Sequence, residues 1–90
     1  MIKNVLINIQ GKVQNVGYRF SCMETAYKYN IKGFVRNRSD GSLSIEAEGK
    51  EEDLRKFVEW CKKGPMWARV KKFEISEGQV RNYETFEIVK

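Results

Sequence analysis

The sequence predicts an α+β sandwich, an antiparallel sheet with two helices on one of its faces. Three observations carry that expectation. Val5, Ile7 and Ile9, and again Leu43, Ile45 and Ala47, recur at the period of two that a strand with one buried face requires. Leu54, Phe57, Val58 and Cys61 fall at i, i+3, i+4 and i+7, a single apolar stripe on a 3.6-residue helix. Between two strand-like runs stands Asp40-Gly41, a hairpin signal, because those residue types tolerate the positive φ of a tight turn.

Taken in order, the first strand covers Val5 to Ile9 and ends as Gly11 arrives. From Phe20 the apolar spacing changes. Cys22, Met23, Ala26 and Tyr27 share one side of a helix that runs to about Asn30, with Gly33 as its stop or turn. Phe34 to Ser39 and Leu43 to Glu48 are the second and third strands, paired antiparallel through Asp40-Gly41. Lys50 to Lys63 is the second helix. Glu51, Glu52 and Asp53 lie by its positive end, Lys62 and Lys63 by its negative end, and Gly64-Pro65 stops it. That charge pattern accounts for the acidic triplet without a catalytic role. Val70 to Val80 contains the fourth strand, and Phe86 to Val89 reads as a short fifth. The β-α-β-β-α-β order is that of the ferredoxin-like arrangement, in which a split β-α-β unit takes a right-handed crossover.

Ninety residues, 41% of them hydrophobic, fit one folded domain over 1–90. No stretch approaches the roughly 20 apolar residues of a membrane span, which leads us to expect a cytoplasmic protein and, at this length, a monomer. Cys22 and Cys61 lie too far apart for a zinc site or a disulfide framework and read as two reduced thiols near the core; a bridge needs their helices to pack together. The chain has no histidine, which excludes Ser-His and Cys-His nucleophiles, a histidine base and a histidine-ligated metal. A net charge of +5 favours anionic ligands, from nucleic acid to small phosphates, without choosing between them.

Gly11 to Phe20, G-K-V-Q-N-V-G-Y-R-F, is the stretch with most chemistry in it. As a strand-to-helix turn it offers an anion the unpartnered N–H groups and positive dipole of a helix start. Arg19 adds a charged fork able to grip two phosphate oxygens. A cation beside a positive helix end is mildly unfavourable, and a bound anion neutralises both; the competing reading is a tight turn with a solvated arginine. Asn37, on a strand where asparagine is a poor former, either faces solvent or uses its amide to orient a water. Trp60, Trp67, Tyr18, Tyr27, Tyr29 and Tyr83 are packing residues first and base-stacking candidates second. The same element order occurs in RNA-binding modules of the RRM type. Lys32-Gly33-Phe34-Val35 only faintly echoes their sheet motif, so nucleic acid is the less favoured partner.

The run Gly11-Lys12-Val13-Gln14-Asn15-Val16-Gly17-Tyr18-Arg19 resembles the G-x-V-Q-G-V-x-F-R signature of the acylphosphatases. Gly33 to Leu43 is similar to their G-x-V-x-N-x-x-D-G-x-V segment, and Glu48-Gly49, Gly64-Pro65 and Phe86-Glu87-Ile88 continue the match. The resemblance implies the ferredoxin-like fold and hydrolysis of the carboxyl–phosphate bond of acyl phosphates without metal, cofactor or obligatory protein partner. It implies that Arg19 binds the phosphate, that Asn37 orients the attacking water, and that N–H groups of Gln14, Asn15, Val16, Gly17 and Tyr18 surround the phosphoryl oxygens. Asn15 stands where the family has glycine. Asparagine tolerates left-handed backbone, but its side chain crowds the loop, so we expect activity retained at a lower level. Tyr18 replaces phenylalanine and adds a hydroxyl. Two alternatives remain: a non-enzymatic anion or nucleic-acid-binding module, and a domain serving a partner enzyme, like that of hydrogenase maturation proteins.

Overall fold

The computed structural model describes all residues from Met1 to Lys90. The elements are β1 (Ile2–Lys12), α1 (Tyr18–Lys28), β2 (Lys32–Asn37), β3 (Leu43–Lys50), α2 (Glu51–Lys63), β4 (Arg69–Glu77) and β5 (Phe86–Val89). They build one five-stranded sheet in the order β4-β1-β3-β2-β5. The first four strands pair antiparallel, as the sequence indicates, but β5 joins the edge of β2 parallel to it, Val35 opposite Ile88, so the sheet is mixed.

One face of the sheet is the core. Ile7 and Ile9 of β1, Leu43, Ile45 and Ala47 of β3, and Val35 of β2 pack there against Cys22 and Ala26 of α1 and Leu54, Phe57 and Cys61 of α2. Both helices therefore cover the same face. The two thiols are free and fully buried, and burial followed by the contact with Cys61 pushes the Cys22 thiol up, so these helices do bring them together.

Several boundaries move, each for a local reason. Gly11 does not end β1; it sits at a bulge within the strand, at φ 129°, where a Cβ would collide with the Arg69 carbonyl oxygen. The turn is thus shortened to Val13–Gly17. Asn30, not Gly33, terminates α1. It takes the left-handed conformation (φ 58°), while Asn30 N–H donates to the Tyr27 carbonyl and Ile31 N–H to that of Ala26, a Schellman ending with asparagine in the usual glycine place. Gly33 lies inside β2. The fourth strand stops at Glu77, short of Val80, because the chain there leaves one sheet edge for the other.

That crossing segment, Gly78 to Thr85, is held by the face of the sheet opposite the helices. Glu48, 3% exposed, accepts hydrogen bonds from the backbone N–H groups of Arg81 and Tyr83, both at 2.9 Å. Asn4 donates to Glu46 and Glu48, and the Arg81 guanidinium pairs with Glu46 at 3.2 Å. Burial raises the pKa of Glu48, but the N–H groups of Arg81, Asn4 and Tyr83 outweigh it and hold the carboxyl below its ordinary value.

Candidate active site

The turn between β1 and α1 has the geometry of an anion cradle. Asn15 (φ 61°) and Gly17 (φ 77°) both adopt left-handed backbone on either side of Val16, the kind of reversal that curls successive N–H groups toward one point. Gly17 is also the N-cap of α1, and no side chain caps that helix. The first helical bond runs from Ser21 N–H to the Gly17 carbonyl at 3.1 Å. The N–H groups of Tyr18, Arg19 and Phe20 thus have no helical acceptor. No acidic residue occupies the first turn, so the positive dipole end is not neutralised from within the helix.

Arg19 lies beside these donors, half-buried, and pairs with no carboxylate. Asn15, Gly17, Tyr18 and Arg19 share a cavity of about 200 Å³ with Val13, Phe20 and Ile88. A larger concavity of about 510 Å³ lies on the opposite sheet face, but it is lined by Glu46 and Glu74 and by no basic residue. An anion is attracted to the first and repelled by the second.

The expected site residues divide into two groups. Asn15, Gly17, Tyr18 and Arg19 converge on the cavity; Val16 packs on the core, and Gln14 and Asn37 lie outside the lining. Gln14 nevertheless has a defined task. Its side-chain amide donates to the carbonyls of Arg38 (2.8 Å) and Ser42 (3.0 Å), fastening the turn to the β2–β3 hairpin. Asn37 is the last residue of β2, directly before Arg38. Its Oδ1 is buried and accepts no hydrogen bond from the protein, leaving an acceptor free beside the fastened loop.

The hairpin itself is rigid at its tip. Asp40 Oδ1 accepts from the Ser42 N–H (3.0 Å) and hydroxyl (2.6 Å), and those Ser42 hydrogen bonds hold the Asp40 carboxyl below its ordinary range. The start of α1 is fixed from behind by Tyr18. Its ring packs on Trp60, 5.3 Å between centroids, and its hydroxyl donates to the Cys61 carbonyl at 2.7 Å. Burial first, and the neighbouring thiols second, raise the Tyr18 pKa far above the usual phenol value, so the hydroxyl stays protonated as a donor.

The aromatic residues do not assemble a stacking surface. Tyr18 is buried, Tyr83 meets Phe34 edge-on, and Tyr27 bonds through its hydroxyl to the Phe86 carbonyl. The outer faces of β1 and β3 carry Asn4, Leu6, Asn8, Ser44, Glu46 and Glu48, with no aromatic ring, and Asn4, Glu46 and Glu48 are buried. Three lining residues, Val13, Phe20 and Ile88, are not among the expected site residues. Nothing in a four-residue terminal strand signals that Ile88 returns to the first helix.

Comparison with known proteins agrees with this geometry. The acylphosphatase family model matches residues 5–88. An acylphosphatase from Synechococcus sp. (strain CC9902) is 44% identical over 80 residues, covering 89% of this chain and 68% of that protein. One from Aliivibrio fischeri is 36% identical over 86 residues, covering 96% of each. The crystal structure of acylphosphatase from Bacillus subtilis superimposes with a TM-score of 0.94 at 35% identity, covering all of both chains. With the family model spanning residues 5–88 and relatives of 36–44% identity covered over two thirds or more of their length, the protein belongs to the acylphosphatase family.

Proposed function

We propose that this chain performs its family's hydrolysis with the β1–α1 cradle as phosphate site, Arg19 as the charged grip and Asn37 as the residue that orients water. The N–H groups of the turn from Gln14 to Tyr18 surround the phosphoryl oxygens. Water attacks phosphorus, the bond between phosphorus and the carboxyl oxygen breaks, and the electron pair leaves with the carboxylate. The water proton passes to the phosphate released. Because the leaving carboxylate has a conjugate acid of pKa about 4, it needs no general acid. Phosphoryl transfer through a loose transition state asks mainly for positioning and charge stabilisation, which suits a chain without histidine.

The observation that carries this reading is the uncapped, acid-free start of α1 opening with an unpaired Arg19 into one cavity. The place of Asn37 supports its part, since it ends β2 directly before Arg38, whose carbonyl accepts from the Gln14 amide of the cradle, and an amide side chain can both donate to and accept from a water. The reading includes a monomer acting in the cytoplasm on a small acyl phosphate, without metal, cofactor or obligatory partner.

The test is hydrolysis of an aroyl phosphate, followed by loss of ultraviolet absorbance with EDTA present throughout. Arg19→Ala and Asn37→Ala are each expected to lower kcat by about 10²–10³-fold, the scale of losing one group aimed at a developing charge. Turnover unchanged in both folded variants contradicts these assignments. A folded parent that binds oligonucleotides in a salt-sensitive way and turns nothing over is instead a binding module.

A further inference from the structure

The cradle explains recognition of a phosphoryl group and leaves the acyl group unread. Beyond the residues that face the anion, the same cavity is walled by Phe20 of α1 and Ile88 of β5. Both side chains are large and exposed to solvent, Phe20 at 58% and Ile88 at 38%. Single exposed apolar residues are ordinary on a protein surface. These two differ from the other exposed apolar side chains, such as Met66, Trp67 and Leu6, in lying against the arginine that the catalytic reading requires.

The chemistry of the lining is two-sided. Asn15 and Arg19 give it polar side chains, and Val13, Phe20 and Ile88 give it apolar ones. No carboxylate, and no basic side chain besides Arg19, is in the lining to pair with a charged acyl chain. A ligand that fills such a cavity has an anionic head and an apolar body.

We propose that Phe20 and Ile88 form an acyl-group wall that selects acyl phosphates whose carboxyl group is carried on an aryl or branched alkyl body. The proposal rests on the acyl phosphate reading above and deepens it. The two walls come from opposite ends of the chain, and the parallel pairing of Val35 with Ile88 on β2 is what holds the second in place. Both touch the departing half of the substrate, so they act on binding of the ground state and transition state alike. Their effect falls on KM.

The experiment compares kcat/KM for acetyl phosphate, an aroyl phosphate and an acyl phosphate with an ionised acyl chain, in the parent, Phe20→Gln, Phe20→Leu and Ile88→Thr. Inhibition by inorganic phosphate and the melting temperature are measured for each. The parent is expected to favour the aroyl substrate over both others by about tenfold, the low end for an apolar pocket because this one is open. Phe20→Gln and Ile88→Thr are expected to remove most of that preference through KM, with acetyl phosphate turnover and phosphate inhibition within about twofold of the parent. Phe20→Leu is expected to restore it. A parent without aroyl preference, or variants that lose acetyl and aroyl turnover equally, overturns the wall and leaves the phosphate site standing. A folded parent that turns over none of the three overturns the acyl phosphate reading, and the wall with it.

Discussion

Asn15 shows how one residue tunes a loop without breaking it. Its φ of 61° is the conformation a glycine adopts freely and an asparagine adopts at modest cost, so the cradle keeps its shape. The cost lies in the side chain, which lines the cavity where the family signature has only a hydrogen atom. Asn15→Gly is therefore expected to raise kcat/KM by about 2–5-fold, equivalent to roughly 0.4–1 kcal/mol of transition-state stabilisation. Steady-state kinetics on one acyl phosphate check it, and an unchanged value shows that the amide clears the phosphate. Tyr18 is the opposite case, a residue whose added hydroxyl finds a buried acceptor in the Cys61 carbonyl and ties the helix start to α2.

At the scale of elements, the site is an agreement between two pieces of chain, the β1–α1 turn and the β2–β3 hairpin. Of the strands that carry them, β1 pairs with β3 but not with β2, which bears Asn37. Gln14 closes the gap with its two hydrogen bonds to Arg38 and Ser42. Gln14→Ala is expected to cost about 1–2 kcal/mol of stability and to lower kcat with little change in KM. The anion donors stay, while the hairpin bearing Asn37 loses its fixed distance from them. Urea unfolding alongside kinetics separates the two effects, and a variant with parental kcat shows that the hairpin holds its place alone.

At the scale of the whole molecule, the open face of the sheet fixes where the last strand goes. Glu48 is ionised while nearly buried, and its folded-state pKa is lowered. The native state thus binds this proton less readily than the unfolded chain, so the stabilisation is present above the ordinary glutamate pKa of about 4.3 and is lost as pH falls through the depressed native value. Asp40, also lowered, acts in the same direction. Glu48→Gln is expected to destabilise by about 1–2 kcal/mol at neutral pH and to flatten the loss of stability between about pH 5 and 3. Chemical denaturation at a series of pH values measures both. A variant with the parental slope transfers the acid sensitivity to other carboxylates.

Much of this architecture was legible in the sequence because its signals are local. The stripe on α2, the alternation in β1 and β3 and the Asp40-Gly41 turn each need only a few adjacent residues, and the arginine beside a glycine-bearing helix start needs no more. What escaped depends on distant pairing. The parallel docking of β5, the bulge at Gly11 against Arg69, the reach of Gln14 to the hairpin and the approach of Ile88 to Phe20 all join residues far apart in the chain.

The insertion of β3 between β1 and β2 also orders events in time. A chain leaving the ribosome carries Arg19 and Asn37 by its thirty-seventh residue, yet β1, which leads into the helix bearing Arg19, and β2, which ends at Asn37, have no direct pairing through which to meet. They come into register only after Leu43–Lys50 has emerged and paired with both, and Ile88 closes the cavity only with the final strand. Contacts of such long sequence separation form late because loop closure must precede them. A nascent chain stalled before its third strand therefore holds both residues of the proposed chemistry and has no site.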